Sequence, residues 1–218
     1  MTDAATAAAG PATRRLGEPE IAGLVAARLC HDLISPAGAI GNGVELMREI
    51  GGPPGPELDL VADSADKLAA SLQFLRLAFG PAPAGESAGL AGVRRIARRW
   101  FAHQRAELDW PEGDGDSTRR AARLRLNLLQ AAASSLPRGG MVTMRERATG
   151  GFAVRAEGPV VAAPEPAELW LSDAPAAPPP TPRDVHWLLA GRHAREAHAG
   201  LAVQRTETAL ILTATPPA

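Results

Sequence analysis

The chain has 218 residues, 45% of them hydrophobic, and a formal net charge of -1. That length can bury a real core in one large or two small domains, and the near-neutral balance exerts no global pull towards nucleic acid or an anionic membrane. The single cysteine, Cys30, excludes an internal disulfide and any CxxC metal site, and no apolar run reaches the roughly 18 residues of a membrane span, so a cytoplasmic protein is expected.

Residues 1–16 are rich in Ala, Thr, Gly and Pro without periodicity and read as a tail with no assigned role. A first helix is expected from Glu18-Pro19-Glu20, where acids and a first-turn proline are favoured, to about Ile50. At about 100° per residue, Leu29, Leu33, Pro36, Ile40, Val44 and Met47 form one apolar stripe, and His31 lies roughly 200° around from Leu29 and Leu33. His31 therefore points away from the core, with Arg28, Ser35, Gly38 and Asn42 following on the same outward face. Pro36 should kink the helix near His31.

The run Gly51-Gly52-Pro53-Pro54-Gly55-Pro56 stops this helix and starts another. The second helix repeats Leu58, Val61, Ala65, Leu68, Leu72, Leu75 and Phe79 at coiled-coil spacing. Residues 17–80 thus form a helical hairpin. Further apolar residues off the stripes (Leu24, Val25, Leu46, Leu60, Phe74, Leu77) need a partner, most simply a second copy of the chain that completes a four-helix bundle. A homodimer is expected.

Residues 81–89 read as an interdomain linker, and 90–218 as a second domain. Val93 to Gln104 suggests a helix, Glu107 to Trp110 a short strand, and Arg119 to Leu136 a helix entered through Asp116-Ser117-Thr118 with good capping chemistry. Alternation over Met141–Arg147 and Phe152–Glu157 around Thr149-Gly150-Gly151 marks a hairpin; a helix from Pro182 to about Ala197 and a hairpin over Leu201–Arg205 and Thr208–Ala214 follow. The segment Leu171 to Pro182 reads as a stiff Pro-rich connector rather than packed structure. The fold class is α+β: an antiparallel helical hairpin followed by a two-layer sandwich with a mainly antiparallel sheet.

An outward histidine beside an acid suits phosphoryl transfer, since neutral imidazole is a nucleophile and a carboxylate can fix its tautomer and stabilise developing positive charge. The pattern His31-Asp32-Leu33-x-x-Pro36-x-x-x-Ile40 resembles the H-box of sensor histidine kinases, whose phosphotransfer hairpins dimerise into four-helix bundles. In those kinases an ATP-binding sandwich follows, and Leu126-Asn127-Leu128-Leu129-Gln130-Ala131-Ala132 with Leu136-Pro137-Arg138-Gly139-Gly140 resembles its N-box and the turn beyond. The departures are specific. Gln130 and Ala131 stand where a second asparagine is expected; Asp173, the only acid comparable to that of the adenine-binding Asp-x-Gly-x-Gly turn, is followed by Ala-Pro-Ala-Ala; and Gly191 and Gly200 are isolated rather than part of a phosphate loop.

A dimerising hairpin on a degenerate ATP-binding domain resembles the ChpT family of bacterial histidine phosphotransferases. The resemblance implies that His31, assisted by Asp32, accepts phosphate from the receiver aspartate of a CckA-like hybrid kinase and passes it to CtrA- and CpdR-like response regulators, with Arg28, Ser35, Gly38 and Asn42 meeting the partner. It implies no cofactor on this chain, any Mg2+ being held by the receiver, and no nucleic-acid or membrane partner. The alternatives are an ATP-dependent histidine kinase and a non-catalytic dimeric scaffold for receivers. His186, His193 and His198 are read as solvated or capping, the basic run Arg94, Arg95, Arg98 and Arg99 as a solvated helix face, and Cys30 as an interior or dimer-interface residue.

Overall fold

The computed structural model describes residues 15–50, 55–113, 115–147 and 150–216. Most of the expected tail, residues 51–54 of the hairpin connection and Thr149 of the β-turn lie outside the described residues. Two long helices come first: α1 (Glu18–Ile50), with acids in its first turn and Arg48 in its last, and α2 (Pro56–Phe79), which starts on its proline. They pack against each other. At Gly43 a Cβ would lie 2.5 Å from Val61 Cγ2, so a larger residue there would force the valine to shift. Pro36 is buried within α1, which runs unbroken through it; lacking an N–H, the proline cannot bond the Asp32 carbonyl one turn back.

The rest is a sheet covered by helices. Short β1 (Ser87–Gly89) pairs with β3 (Asp116–Thr118), while β2 (Ala106–Asp109), β4 (Gly140–Glu146), β5 (Phe152–Glu157), β6 (Gly200–Arg205) and β7 (Ala209–Thr215) form one sheet in the order β2-β4-β5-β7-β6. Among the described residues, only β2 and β4 pair in parallel. Alternation buries Val142, Met144, Phe152, Val154, Ala156, Leu210, Leu212 and Ala214 on one face. Against that side pack α4 (Arg119–Ser134), α6 (Val185–Glu196) and α3 (Leu90–Phe101), with a short α5 (Ala167–Leu171) on α6. The Thr118 side chain caps α4 by accepting from Ala121 N–H, as its capping chemistry suggests.

Several expectations are corrected. Residues 87–89 of the segment read as a linker form β1, and Leu16 and Arg15 of the tail touch the fold: the Leu16 carbonyl accepts from Arg192 at 2.7 Å. The Pro-rich segment is packed rather than a free connector. Trp170 Nε1 donates to the Pro178 carbonyl at 2.6 Å, Pro180 is buried, and buried Asp173 is paired with Arg195, with Arg192 at 3.5 Å and with Arg15 at 3.8 Å. Prolines suit a segment laid on a core because each brings one fewer N–H to satisfy. Asp173 thus holds arginines of this chain.

That covering layer also overturns the histidine reading. With both α4 and α5 packed against α6, His186 and His193 are buried, and only His198, in the left-handed region (φ 53°) just past the helix, keeps its capping place. Arg94 is likewise buried rather than solvated: it pairs with Glu112 at 2.9 Å, donates to the Gly113 carbonyl at 3.0 Å and lies over Trp110. Cys30 is exposed on the single chain, not interior.

The hairpin is fastened to the second domain through α2. Phe74 stacks on Trp100 of α3 with ring centroids 4.3 Å apart, so this side chain, expected to seek a partner molecule, is satisfied within the chain. Asp66 pairs with Arg99 and with His103 at 3.0 Å, and these two contacts hold its carboxyl below the usual range. Asn127 on α4, fully buried, donates its amide to the Ala78 carbonyl at 2.8 Å and to the Arg123 carbonyl at 2.9 Å. Two carbonyls can only accept, which fixes the amide's orientation. Ala78 lies in the last turn of α2, where carbonyls have no intrahelical donor. Asn127→Ala should therefore cost about 1–3 kcal/mol by leaving that buried carbonyl unpaired. Chemical denaturation of the variant checks this, and an unchanged midpoint would refute it.

Burial pushes the His193 imidazole down to about 3, the charge of Arg123 acting in the same direction, and pushes His186 well below its ordinary range. Both are neutral in the fold at pH values where the unfolded chain, with a histidine value near 6.5, takes up protons. Their contribution to stability is complete above about pH 6.5 and is lost progressively below it, before most carboxylates titrate. Thermal melts of His193→Leu between pH 7 and about pH 4.5 should show a shallower loss of Tm than the parent. Parallel curves would contradict the assignment.

Candidate functional site

The periodicity of α1 places His31 on its open face. The side chain is 55% exposed, and its neighbour Asp32 22%. Nδ1 of His31 lies 3.1 Å from Asp32 Oδ1, and the other carboxylate oxygen accepts from Arg28 Nε at 2.7 Å, one helical turn earlier. Arg28 also donates to the backbone carbonyl of Arg183, so α1 is tied here to the segment just before α6. Arg183 in turn places its Nη2 3.1 Å from His31 Nε2.

These contacts determine the imidazole tautomer. A guanidinium only donates and a carboxylate only accepts, so Nε2 presents its lone pair to Arg183 and Nδ1–H donates to Asp32. Nε2 therefore carries the free lone pair, and Asp32 is placed to stabilise positive charge on the ring. Arg28 offsets the charge of Asp32 and holds it in that orientation.

The histidine stands at the mouth of a cleft of about 300 Å³ lined from α1 by Arg28, His31 and Asp32 and from the second domain by Ser134, Pro164 and Arg183. Ser134 gives its hydroxyl proton to the Ala131 carbonyl at 2.9 Å and so can only accept from His186 Nε2, 3.1 Å away. Buried His186 thus sits behind Ser134 and holds that cleft-lining hydroxyl. Its low proton affinity follows from desolvation first and the nearby Arg28 charge second.

Of the sequence-derived site residues, the structure brings together His31, Asp32 and Arg28, with Arg28 committed to bonds inside the chain. Ser35, Gly38 and Asn42 are exposed farther along α1 and do not enter the cleft. Arg183 was missed because it is 152 positions from His31, inside a proline-rich stretch without periodicity. No local pattern marks it; only the tertiary fold does. Asn127, where the resemblance puts an N-box residue, is engaged with α2, and α6 packs directly against α4 beside it. Among the described residues, no group of three or more His, Cys, Asp or Glu is placed to hold a metal ion, and no helix is long and apolar enough to cross a membrane.

Comparison with known proteins agrees with this architecture. Residues 90–209 match the family model described as histidine phosphotransferase C-terminal domain. The chain is 35% identical over 127 residues to protein phosphotransferase ChpT of Brucella abortus (strain 2308), an alignment spanning 58% of this chain and 60% of that protein. It also superposes on a solved bacterial phosphotransferase with a TM-score of 0.80 and 28% identity, over 94% of this chain and all of the other. The solved phosphotransferase shares the helical hairpin as well as the two-layer domain, and through that domain this chain belongs to the histidine phosphotransferase family.

Proposed function

We propose that this protein is a histidine phosphotransferase of a bacterial phosphorelay, with His31 as its phosphoryl carrier. The observation that carries the reading is the tautomer lock: Nδ1 is committed to Asp32 while Nε2 faces a cleft open to an incoming protein. The donor is a phosphorylated receiver aspartate. Nε2 attacks its phosphorus, the bond from phosphorus to the carboxylate oxygen breaks with its electron pair leaving on the aspartate, and the imidazole carries the charge against Asp32. Transfer to a second receiver reverses these steps. Any Mg2+ belongs to the acidic pocket of the receiver, and this chain supplies the histidine, its orientation and the docking face. By family resemblance the donor is the receiver of a CckA-like hybrid kinase and the acceptors are CtrA- and CpdR-like regulators. Ser35, Gly38 and Asn42, small or polar on the exposed face of α1, are proposed to let a receiver approach closely.

Incubation with labelled ATP, and separately with a phosphorylated receiver, tests the reading against its alternatives. Label on His31 from the receiver alone is expected; label from ATP alone would mean a kinase, and none in either case a scaffold. His31→Ala should abolish transfer while leaving Tm unchanged, as befits an exposed side chain.

The hairpin is proposed to dimerise. Ile34, Leu46, Ile50, Leu58, Leu60 and Leu72 are 43% to 68% exposed, all on α1 and α2, and an apolar cleft of about 480 Å³ between the helices is lined by Val25, Leu29, Leu33, Leu72, Leu75 and Phe79. Monomeric proteins rarely leave so much apolar surface in one place. Leu72→Glu should halve the mass measured by light scattering, and a variant that kept the parent's mass would remove this face as the interface.

A further inference from the structure

We propose that Arg183 is a phosphoryl-binding residue: the second domain contributes a guanidinium that receives the phosphoryl group on His31 Nε2. This rests on the reading of His31 as the carrier and extends it to a residue that no sequence motif marks.

Three observations converge on Arg183. Its Nη2 stands 3.1 Å from Nε2, in the space that a phosphorus bonded to Nε2 must enter. The guanidinium therefore withdraws when the phosphoryl arrives, and its donors then face the phosphoryl oxygens. Next, the residue is anchored at its backbone, while its exposed head is held by the His31 contact. The carbonyl accepts from Arg28, and the turn that contains it, 181–184, is closed by Thr181 Oγ1 donating to Asp184 Oδ2 at 2.6 Å, while the Arg183 side chain is exposed and can swing outward without unfolding anything. Finally, the charges around the cleft leave this arginine for the anion. Arg28 is bound to Asp32, and Asp184, the other acid of the cleft, is held by Thr181. A planar fork of donors suits the charge spread over three phosphoryl oxygens as the bond to the donor carboxylate breaks and the bond to Nε2 forms.

The step needs no further reactant. The Nε2 lone pair forms the new bond to phosphorus, the leaving carboxylate takes the old bonding pair, and the ring keeps its proton on Nδ1 against Asp32. Arg183 changes neither protonation nor bonding; it exchanges a hydrogen bond to Nε2 for hydrogen bonds to the phosphoryl oxygens.

The full chain is to be phosphorylated with phosphoramidate, which needs no partner protein, and His31 followed by 31P and 15N NMR. Arg183→Gln should take up phosphate about tenfold more slowly, the loss of one charge-assisted contact. It should also shift the phosphohistidine 31P resonance and, before phosphorylation, raise the population of the Nε2-protonated tautomer. Arg183→Lys should recover much of the rate. Neither variant should change Tm, because the bond from Arg28 uses the backbone carbonyl. A Gln variant with the parent's rate and 31P resonance overturns the proposal while leaving His31 as carrier. A parent chain that forms no phosphohistidine from phosphoramidate or from a phosphorylated receiver overturns both.

Discussion

The geometry of the site depends on how the hairpin is held to the sandwich, and at the heart of that joint is the fully buried amide of Asn127. It satisfies a carbonyl in the last turn of α2, a group that would otherwise be buried with no donor. A buried unpaired carbonyl costs more than a paired one contributes, so the bond constrains how α2 sits on α4. The Phe74–Trp100 stack and the Asp66 contacts to Arg99 and His103 fasten the same face of α2 to α3. With α2 fixed and α1 packed along it through Gly43, His31 is carried to the segment that precedes α6. The Arg28 bond to Arg183 then closes a second contact between the domains beside His31.

This arrangement gives Asn127 a task different from the one its sequence neighbourhood suggests. Where the resemblance to ATP-binding domains would have an asparagine facing a nucleotide, the side chain faces α2 and is spent on an internal bond. Asp173 is similarly occupied, buried among Arg15, Arg192 and Arg195. Gly191, isolated in sequence, is required because a Cβ there would come within 2.4 Å of the Leu171 carbonyl oxygen. Three residues at which a nucleotide motif was sought thus each serve the packing of this fold, and the second domain acts on His31 through the segment it presents beside α1.

What could be read from the sequence was whatever repeats with a period. Helix spacing located α1 and α2 almost to the residue, and alternation located β4, β5 and β7, because each element buries one face. The His31-Asp32 pair was legible for the same reason: a stripe at 3.6 residues defines an outside as well as an inside. Burial on more than one side was not legible. The polar residues of α6 look solvated until α4, α5 and the proline-rich segment are seen to cover it, and Arg94 looks like one of four surface arginines until Glu112, the Gly113 carbonyl and Trp110 surround it. Arg183 could not be found at all by pattern, since its importance lies in one contact made across 152 residues.

A carrier that receives and donates at the same nitrogen faces a physical constraint that an ordinary nucleophile does not. If the site held the phosphoryl group very tightly it would accept and never release, because binding the intermediate better than the transition state raises the second barrier. On the proposed reading the cleft meets this constraint by dividing its contacts. Asp32 and Arg28 fix the ring from within α1 and are unchanged by phosphorylation, whereas Arg183 meets the phosphoryl with an exposed, movable side chain. An incoming receiver can displace such a group and substitute its own cation, so both directions of transfer pass through similar surroundings. Discrimination among receivers must then arise outside the cleft, as a difference of affinities over the docking face. The exposed Ser35, Gly38 and Asn42, farther along the same helix, suit that division, since small or polar side chains impose little selection themselves and leave it to the wider surface of the hairpin and second domain.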